Sequence, residues 1–272
     1  MNSREILQKT APWLKERGAE SARLDAEILL AHVLECDRVT LYTDGERPLI
    51  DAELDSYREL VRRRARGEPV AYLVGQREFY GLPMAVTPDV LIPRPETEAI
   101  VDRVRELEPA TILDLCTGSG CIAIACAVRL PEAQIVATDV SAAALEVARG
   151  NAQRHEVEDR VRFEEGDLFA ALDGDTKFDL IVANPPYVST GSDTETTGHE
   201  PDVALFAGAS GLDVIERILA EAPKWMAEGA TLLMEIGEDQ QDAVLALAGA
   251  DYGAKVLKDL AGHPRIFEGQ PR

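Results

Sequence analysis

Apolar positions recur at helical spacing through the first 66 residues. Ile6, Trp13 and Leu14 group on one predicted helix. Leu24, Ile28, Leu29, Leu30, Val33 and Leu34 group on a second, and Leu54, Tyr57 and Leu60 mark a third over residues 51–66. Residues three and four apart share a helix face, so each set is a candidate core stripe. Asp51 is the predicted N-cap of the third helix, and Gly67 and Pro69 close it. The stretch 69–96 changes character. It is rich in Val, Tyr, Phe, Gly and Pro, and predicts short strands with turns at Gly75 and around Gly81, Leu82 and Pro83. From residue 96 the periods alternate. Helices are predicted over 96–107, 121–130, 141–155, 212–226 and 240–248. Strands are predicted over 110–116, 134–140, 160–167, 178–183 and 230–237, with a terminal pair over 252–257 and about 265–268.

Strands alternating with helices imply an α/β fold with a mostly parallel, seven-stranded, Rossmann-like sheet covered on both faces. The divisions read as a helical domain over 1–69, a hairpin linker over 70–95 and an α/β domain over 96–272. Right-handed crossovers gather the strand C-termini on one edge, where such sheets bind ligands.

Composition narrows the classes. The formal net charge is −21, with 22 Arg and 6 Lys against 49 acids. Such a surface repels phosphate backbones and gains no counterion-release affinity, so no nucleic acid partner is expected. The basic cluster Arg62, Arg63, Arg64 and Arg66 reads as a solvated helix face. No stretch reaches the ~18 consecutive apolar residues of a membrane span. The N-terminal residues carry scattered charge in place of a secretion signal's apolar run, which predicts a cytoplasmic protein. Cys36, Cys116, Cys121 and Cys126 are too few for a disulfide scaffold and contain no CxxC; Cys121 and Cys126 lie in an apolar predicted helix, where buried thiols are expected, and no metal site is expected. A monomer is expected.

Two groups of residues carry chemistry. Cys116, Thr117, Gly118, Ser119 and Gly120, preceded by Asp114, lie between a strand and a helix, where glycine lets backbone approach a ligand and the helix start offers free N–H groups. Asp139 ends the next strand, 21 positions after Gly118, where an acid accepts both ribose hydroxyls. Asp167 ends the third strand, beside Leu168 and Phe169, and suits an adenine. The turn lacks the third glycine of a dinucleotide fingerprint. Its acidic surroundings suit a cationic donor such as S-adenosylmethionine better than a diphosphate. The second group is Asn184, Pro185, Pro186 and Tyr187, directly after an apolar strand. The prolines fix φ and lack N–H groups, and Asn184 is pushed extended by the proline after it. The stiff turn can present the Asn184 side-chain oxygen and the Pro185 carbonyl to a planar NH₂ group, while Tyr187 covers it. Holding both N–H protons biases an amide nitrogen towards tetrahedral geometry and aims its lone pair.

Together these segments resemble the HemK/PrmC family, the release factor glutamine methyltransferases. The likeness rests on residues 92–98 (Ile92, Pro93, Arg94, Pro95, Glu96, Thr97, Glu98), the 114–120 loop, the Asn184 to Tyr187 turn, and Glu200, Pro201, Ala204, Leu205, Gly211 and Leu212. It implies a class I methyltransferase sheet and methylation of the glutamine in the Gly-Gly-Gln loop of class I peptide chain release factors. It implies that Asn184, Pro185 and Pro186 bind the target amide and Tyr187 orients it. Cys116 to Gly120, Asp139, Asp167, Leu168 and Asn184 would contact S-adenosylmethionine, and Arg94 and Glu98 would lie at the mouth of the site. The chain departs from the family at Cys116, where glycine is usual, and at Leu168, where some members carry tryptophan and adenine packing would here be aliphatic. Residues 188–211 are expected to help form a protein-substrate groove, with His199 on the surface. The N-terminal helices are expected to dock the release factor. Rival readings are an adenine-N6 nucleic acid methyltransferase using a similar turn, a ribosomal protein glutamine methyltransferase, and a binding protein of the same fold without turnover.

Overall fold

The computed structural model describes residues 1–174, 176–191, 198–259 and 261–272. The chain forms two compact units, Met1–Gln76 and Arg77–Arg272.

The first unit holds α1 (Ser3–Lys15), α2 (Ala22–Val33), α3 (Thr40–Thr43), α4 (Asp51–Arg64) and α5 (Val70–Val74). Asn2 caps α1 reciprocally. Its side chain accepts from the Glu5 N–H at 2.8 Å, and its own N–H donates to the Glu5 carboxylate at 3.1 Å. Ile6, Leu7 and Leu14 meet Leu29 and Leu30 of α2 and Leu54, Tyr57 and Val61 of α4 in one core.

The structure corrects three local expectations. Leu24 is exposed and Ile28 only half-buried, while Asp25 and Glu27 are buried. The inward face of α2 is therefore turned from the apolar stripe, because arginines meet the two acids. Glu27 binds Arg23 and Arg38, and Asp25 binds Arg64 at 2.8 Å. Asp51 is the first residue of α4 and not its cap; Ile50 precedes the helix and its N–H donates to Glu53 at 3.0 Å. Residues 70–74 form a helix where strand was expected. Pro69 starts it with φ −61°, and Gly75 ends it at φ +73°, a left-handed conformation that costs glycine little.

The second unit begins in a hairpin of β1 (Gln76–Phe79) and β2 (Leu82–Ala85). Tyr80 and Gly81 both have positive φ, as a two-residue type I′ turn requires. Phe79 and Met84 are buried against the α/β core, and Asn151 holds the end of β2 through both backbone groups of Ala85. Asn151 accepts from Ala85 N–H at 2.7 Å and donates to Ala85 O at 3.0 Å.

The rest comprises α6 (Glu98–Leu107), β3 (Thr111–Leu115), α7 (Cys121–Arg129), β4 (Gln134–Asp139), α8 (Ala142–Arg154), β5 (Val161–Glu165), β6 (Phe178–Ala183), α9 (Asp213–Glu221), β7 (Met226–Glu235), α10 (Gln241–Ala248), β8 (Tyr252–Lys258) and β9 (Pro264–Pro271). The sheet order is β5-β4-β3-β6-β7-β9-β8. Pairing is parallel from β5 to β7, and β9 runs antiparallel to both neighbours. This is the mostly parallel, seven-stranded Rossmann-like sheet that the sequence predicts. Adjacent strand residues feed opposite faces. Ile112, Leu180 and Val182 enter one core, and Leu113, Ile181 and Ala183 enter the other, so both faces are buried.

The helix predicted over 212–226 ends at Glu221. A 3₁₀ turn, Ala222–Lys224, carries Pro223, which cannot continue the ladder, and β7 starts at Met226. Among the described residues no helix is long and apolar enough to cross a membrane.

Candidate active site

β3 and β6 are neighbours although distant in the chain, so the crossovers leave β3 in opposite directions and open a crevice at the strand C-termini. A cavity of about 310 Å³ lies there, at the small end of the ~300–1,000 Å³ range of ligand pockets. Its wall takes Cys116, Thr117, Gly118 and Ser119 after β3, Asp139 after β4, Asp167 and Leu168 after β5, and Asn184 and Pro186 after β6. Arg94 and Thr97 close it from the segment before α6. Candidates far apart in the chain thus share one cleft.

Four predicted residues lie elsewhere. Gly120 and Pro185 are buried behind the wall. A Cβ on Gly120 would come within 2.9 Å of Ile124 and 3.1 Å of Ala148, so its bareness serves helix packing. Tyr187 points its hydroxyl at Glu235. Glu98 accepts from the Tyr80 N–H at 2.8 Å, in the hairpin turn. His199 is exposed. Part of the expected 188–211 groove, residues 192–197, lies outside the described residues.

The 114–120 loop is built by its own acid. Asp114 is fully buried and accepts from Thr117 Oγ1 at 2.6 Å and from Ala123 N–H at 3.3 Å. Burial pushes its carboxyl up to about 7. Cys116 has φ +57° and Gly118 φ +55°, which curls the loop around the cavity. For Cys116 this is a strained left-handed position. Burial and the neighbouring acids Asp139, Asp114 and Asp167 push its thiol up, so it stays protonated.

Asp139 is locked to two elements at once, accepting from Gly118 N–H at 2.8 Å and Ser141 N–H at 2.9 Å. Burial raises its carboxyl above the usual range. Asp167 instead pairs with Arg217 at 2.8 Å, a cavity-lining residue that nothing in the sequence singled out. Leu168 sits at φ +52° with its side chain buried on the cavity wall.

The proline turn is held from beneath by residues that the sequence did not mark for it. Thr97 Oγ1 lies 2.6 Å from one oxygen of Glu235, and the Tyr187 hydroxyl lies 3.0 Å from the other. Asn184 Nδ2 donates to Thr97 Oγ1 at 3.2 Å. Gln240 Nε2 donates to the Tyr187 carbonyl at 2.9 Å and to the Gly211 carbonyl at 3.3 Å. A Cβ on Gly211 would meet the Tyr187 carbonyl at 2.3 Å, so glycine is obligatory in this close approach. Arg94 and the Ile92 N–H both donate to Glu200, at 2.6 and 3.1 Å. That tie fixes the segment before α6 to the loop after β6. The only sequence hint of these partners was that Thr97, Glu200 and Gly211 fall inside the family-like segments.

The donor set fits a cationic adenosyl ligand. The cavity offers apolar surface at Leu168, Val140 and Ile122, a carboxylate at Asp139 tied only to backbone N–H groups, and a left-handed backbone loop. Among the described residues no group of three or more His, Cys, Asp and Glu side chains could hold a metal.

A family described as PrmC N-terminal domain matches residues 5–75, and one described as methyltransferase small domain matches residues 95–201. A release factor glutamine methyltransferase of Rhodopirellula baltica is 40% identical over 280 positions, covering 97% of this chain and 95% of the relative. The chain belongs to the release factor glutamine methyltransferase family. Another member, from Geobacter sulfurreducens, is 44% identical over 90% of this chain and 87% of its own. The solved structure of a methyltransferase from Pyrococcus furiosus aligns with TM-score 0.54 at 19% identity, covering 76% of this chain and 96% of that one, and so shows the shared fold. Membership makes this chain a methyltransferase, and two of its family-like segments meet at the Thr97–Asn184 hydrogen bond.

Proposed function

We propose that this chain transfers a methyl group from S-adenosylmethionine to the side-chain amide nitrogen of the glutamine in the Gly-Gly-Gln loop of class I peptide chain release factors. The observation that supports it most is the state of Asn184. Its NH₂ is committed to Thr97, which leaves Oδ1 as the acceptor it can offer at the cavity wall.

S-adenosylmethionine, when bound, supplies an electrophilic methyl group: the amide lone pair forms the new N–C bond as the S–C bond breaks and its electron pair stays on sulfur. The chain's own residues supply position and field. Asn184 Oδ1 accepts one N–H of the target amide, and the Pro185 carbonyl is assigned as the second acceptor, although the Pro185 ring itself is buried behind the wall. This geometry turns the lone pair out of conjugation and strengthens as the nitrogen becomes cationic. Asp139 takes the ribose hydroxyls and Leu168 the adenine face. The methylated nitrogen is acidic enough to release its proton to water, so no strong base is required. The helical unit is assigned to docking the release factor, since one glutamine offers too little surface for selectivity. The protein acts as a cytoplasmic monomer without a metal.

Incubation with labelled methyl donor tests the reading. Label is expected on a purified class I release factor, none on its Gln→Asn variant, and none on DNA or ribosomal protein. Label on DNA alone would overturn the assignment. Asn184→Ala is expected to cut the rate at least tenfold with folding preserved; an unchanged rate would remove the role given to Asn184.

A further inference from the structure

Beneath the proline turn lies a buried carboxylate for which methyl transfer itself has no use. Glu235 ends β7 and is 1% exposed. Each oxygen has one hydroxyl partner, Thr97 at 2.6 Å and Tyr187 at 3.0 Å. It forms no ion pair among the described residues. A buried acid with no ion pair is costly. Although the Arg265 charge acts on it through space, its two hydrogen-bond partners are both on the segments that build the site: Thr97 before α6, and Tyr187 after β6.

The hydrogen-bond inventory makes the arrangement directional. In its ionised form Glu235 only accepts, so Thr97 and Tyr187 both donate to it. Burial raises its carboxyl above the usual range, so the relay belongs to pH values above that raised value. A threonine hydroxyl has a single hydrogen. Once that hydrogen is given to Glu235, Thr97 Oγ1 can only accept from its other neighbour, Asn184. Asn184 must then offer Thr97 its NH₂ and keep its oxygen for the cavity. Without this relay the Asn184 amide could turn over. It would then present two donors to an NH₂ group that is itself a donor, the wrong polarity for the target.

We propose that Glu235 and Thr97 are positioning residues that set the amide orientation of Asn184, and so make the turn selective for a planar NH₂ group over a carbonyl. The proposal rests on Asn184 being the acceptor for the target amide. Neither residue contacts the reacting atoms. Their effect passes through Asn184, and through Tyr187 for the outer half of the turn.

The discriminating pair is Thr97→Val, which keeps the shape and removes the hydroxyl, and Thr97→Ser, which restores the hydroxyl. Methyl transfer to a purified release factor is measured, together with the affinity for S-adenosylhomocysteine and the hydrogen exchange of the Asn184 side-chain NH₂ by NMR. Thr97→Val is expected to lower kcat by roughly 10- to 100-fold, the scale of losing one oriented donor or acceptor. The KM for the release factor and the product affinity should stay within about twofold, and Asn184 NH₂ exchange should quicken about tenfold. Thr97→Ser should return all three to near the parent values. Glu235→Gln, which keeps the volume and puts a donor where Thr97 needs an acceptor, should lower kcat in the same way. An equal fall in Thr97→Ser and Thr97→Val, or an undiminished kcat in Thr97→Val, would overturn the proposal. Should the parent protein leave release factor unmethylated, the substrate assignment fails. The exchange measurement then decides the positioning relay by itself: quickened in Val and restored in Ser supports it, and unchanged in Val refutes it.

Discussion

Asp25 and Glu27 of the helical unit and Asp114, Asp139 and Glu235 of the α/β unit hold their carboxylates in opposite ways, while Glu200 of the α/β unit is paired with Arg94 like the first set. In the helical unit Glu27 is met by Arg23, Arg38 and the Tyr42 hydroxyl, and Asp25 by Arg64. Those guanidinium and hydroxyl hydrogen bonds outweigh burial and hold Glu27 down at about 2. In the α/β unit Asp114, Asp139 and Glu235 are held by hydroxyls and backbone N–H groups, and burial pushes all three above the usual carboxylate range. A carboxylate paired with arginine contributes to folding and leaves little field behind. A carboxylate held only by neutral donors keeps its field for whatever enters the cleft, at a cost in stability, and a sulfonium with an ammonium tail is the kind of ligand that offsets it.

This difference predicts opposite responses to pH, which the two tryptophans can report separately. Trp13 lies in the helical unit and Trp225 in the α/β unit, so Trp225→Phe and Trp13→Phe variants isolate each signal. Asp114 has a raised folded-state value, so its stabilising contribution is fully present below about pH 4 and is lost as pH rises through about 7. A tenfold change in proton affinity is worth about 1.4 kcal/mol. In the ligand-free protein Asp114 should therefore contribute a weakening of roughly a few kcal/mol between acid and neutral pH, against the opposite contributions of the arginine-paired Glu268 and of Asp259. Asp114→Asn should flatten that slope. A slope unchanged in Asp114→Asn would break the comparison.

Glu27 has the reverse sign. Its contribution is present above its unfolded value of about 4.5 and is lost as pH falls towards about 2. At neutral pH Glu27→Gln should lower the stability of the helical unit by about 1–3 kcal/mol in denaturant titration, and leave donor affinity unchanged. Asp139→Asn should do the converse, weakening S-adenosylmethionine binding about tenfold by calorimetry while the melting temperature holds or rises. Loss of stability without loss of affinity would place Asp139 with the paired acids. The smallest effect is expected at Cys116→Gly, which removes the left-handed strain at φ +57° and should stabilise the α/β unit by about 1 kcal/mol or less in the same titration.

Much of the site was legible because its signals are local. The glycine loop, Asp139 at a strand end and the Pro-Pro turn after an apolar strand each declare themselves within a few residues, where φ restrictions and strand period act directly. The parts that escaped are long-range. Glu235 lies 138 positions from Thr97, and Glu200 lies 106 from Arg94, and no spacing rule links such pairs. Arg217 escaped for the same reason. Glu98 was placed at the mouth of the site by the family resemblance, and the structure turns its carboxylate to the hairpin instead. Residues 70–74 were read as strand from composition, and Pro69 with Gly75 decided for helix.

The amino-acid order alone determined the class of sheet, the edge on which the candidate-site loops gather, and the stiff proline turn at that edge, because these follow from backbone sterics and the period of apolar residues. Only tertiary structure decided which acids are neutralised and which way the Asn184 amide faces. Both depend on hydrogen-bond partners brought together by packing, and a side chain's polarity is set by the neighbours it meets.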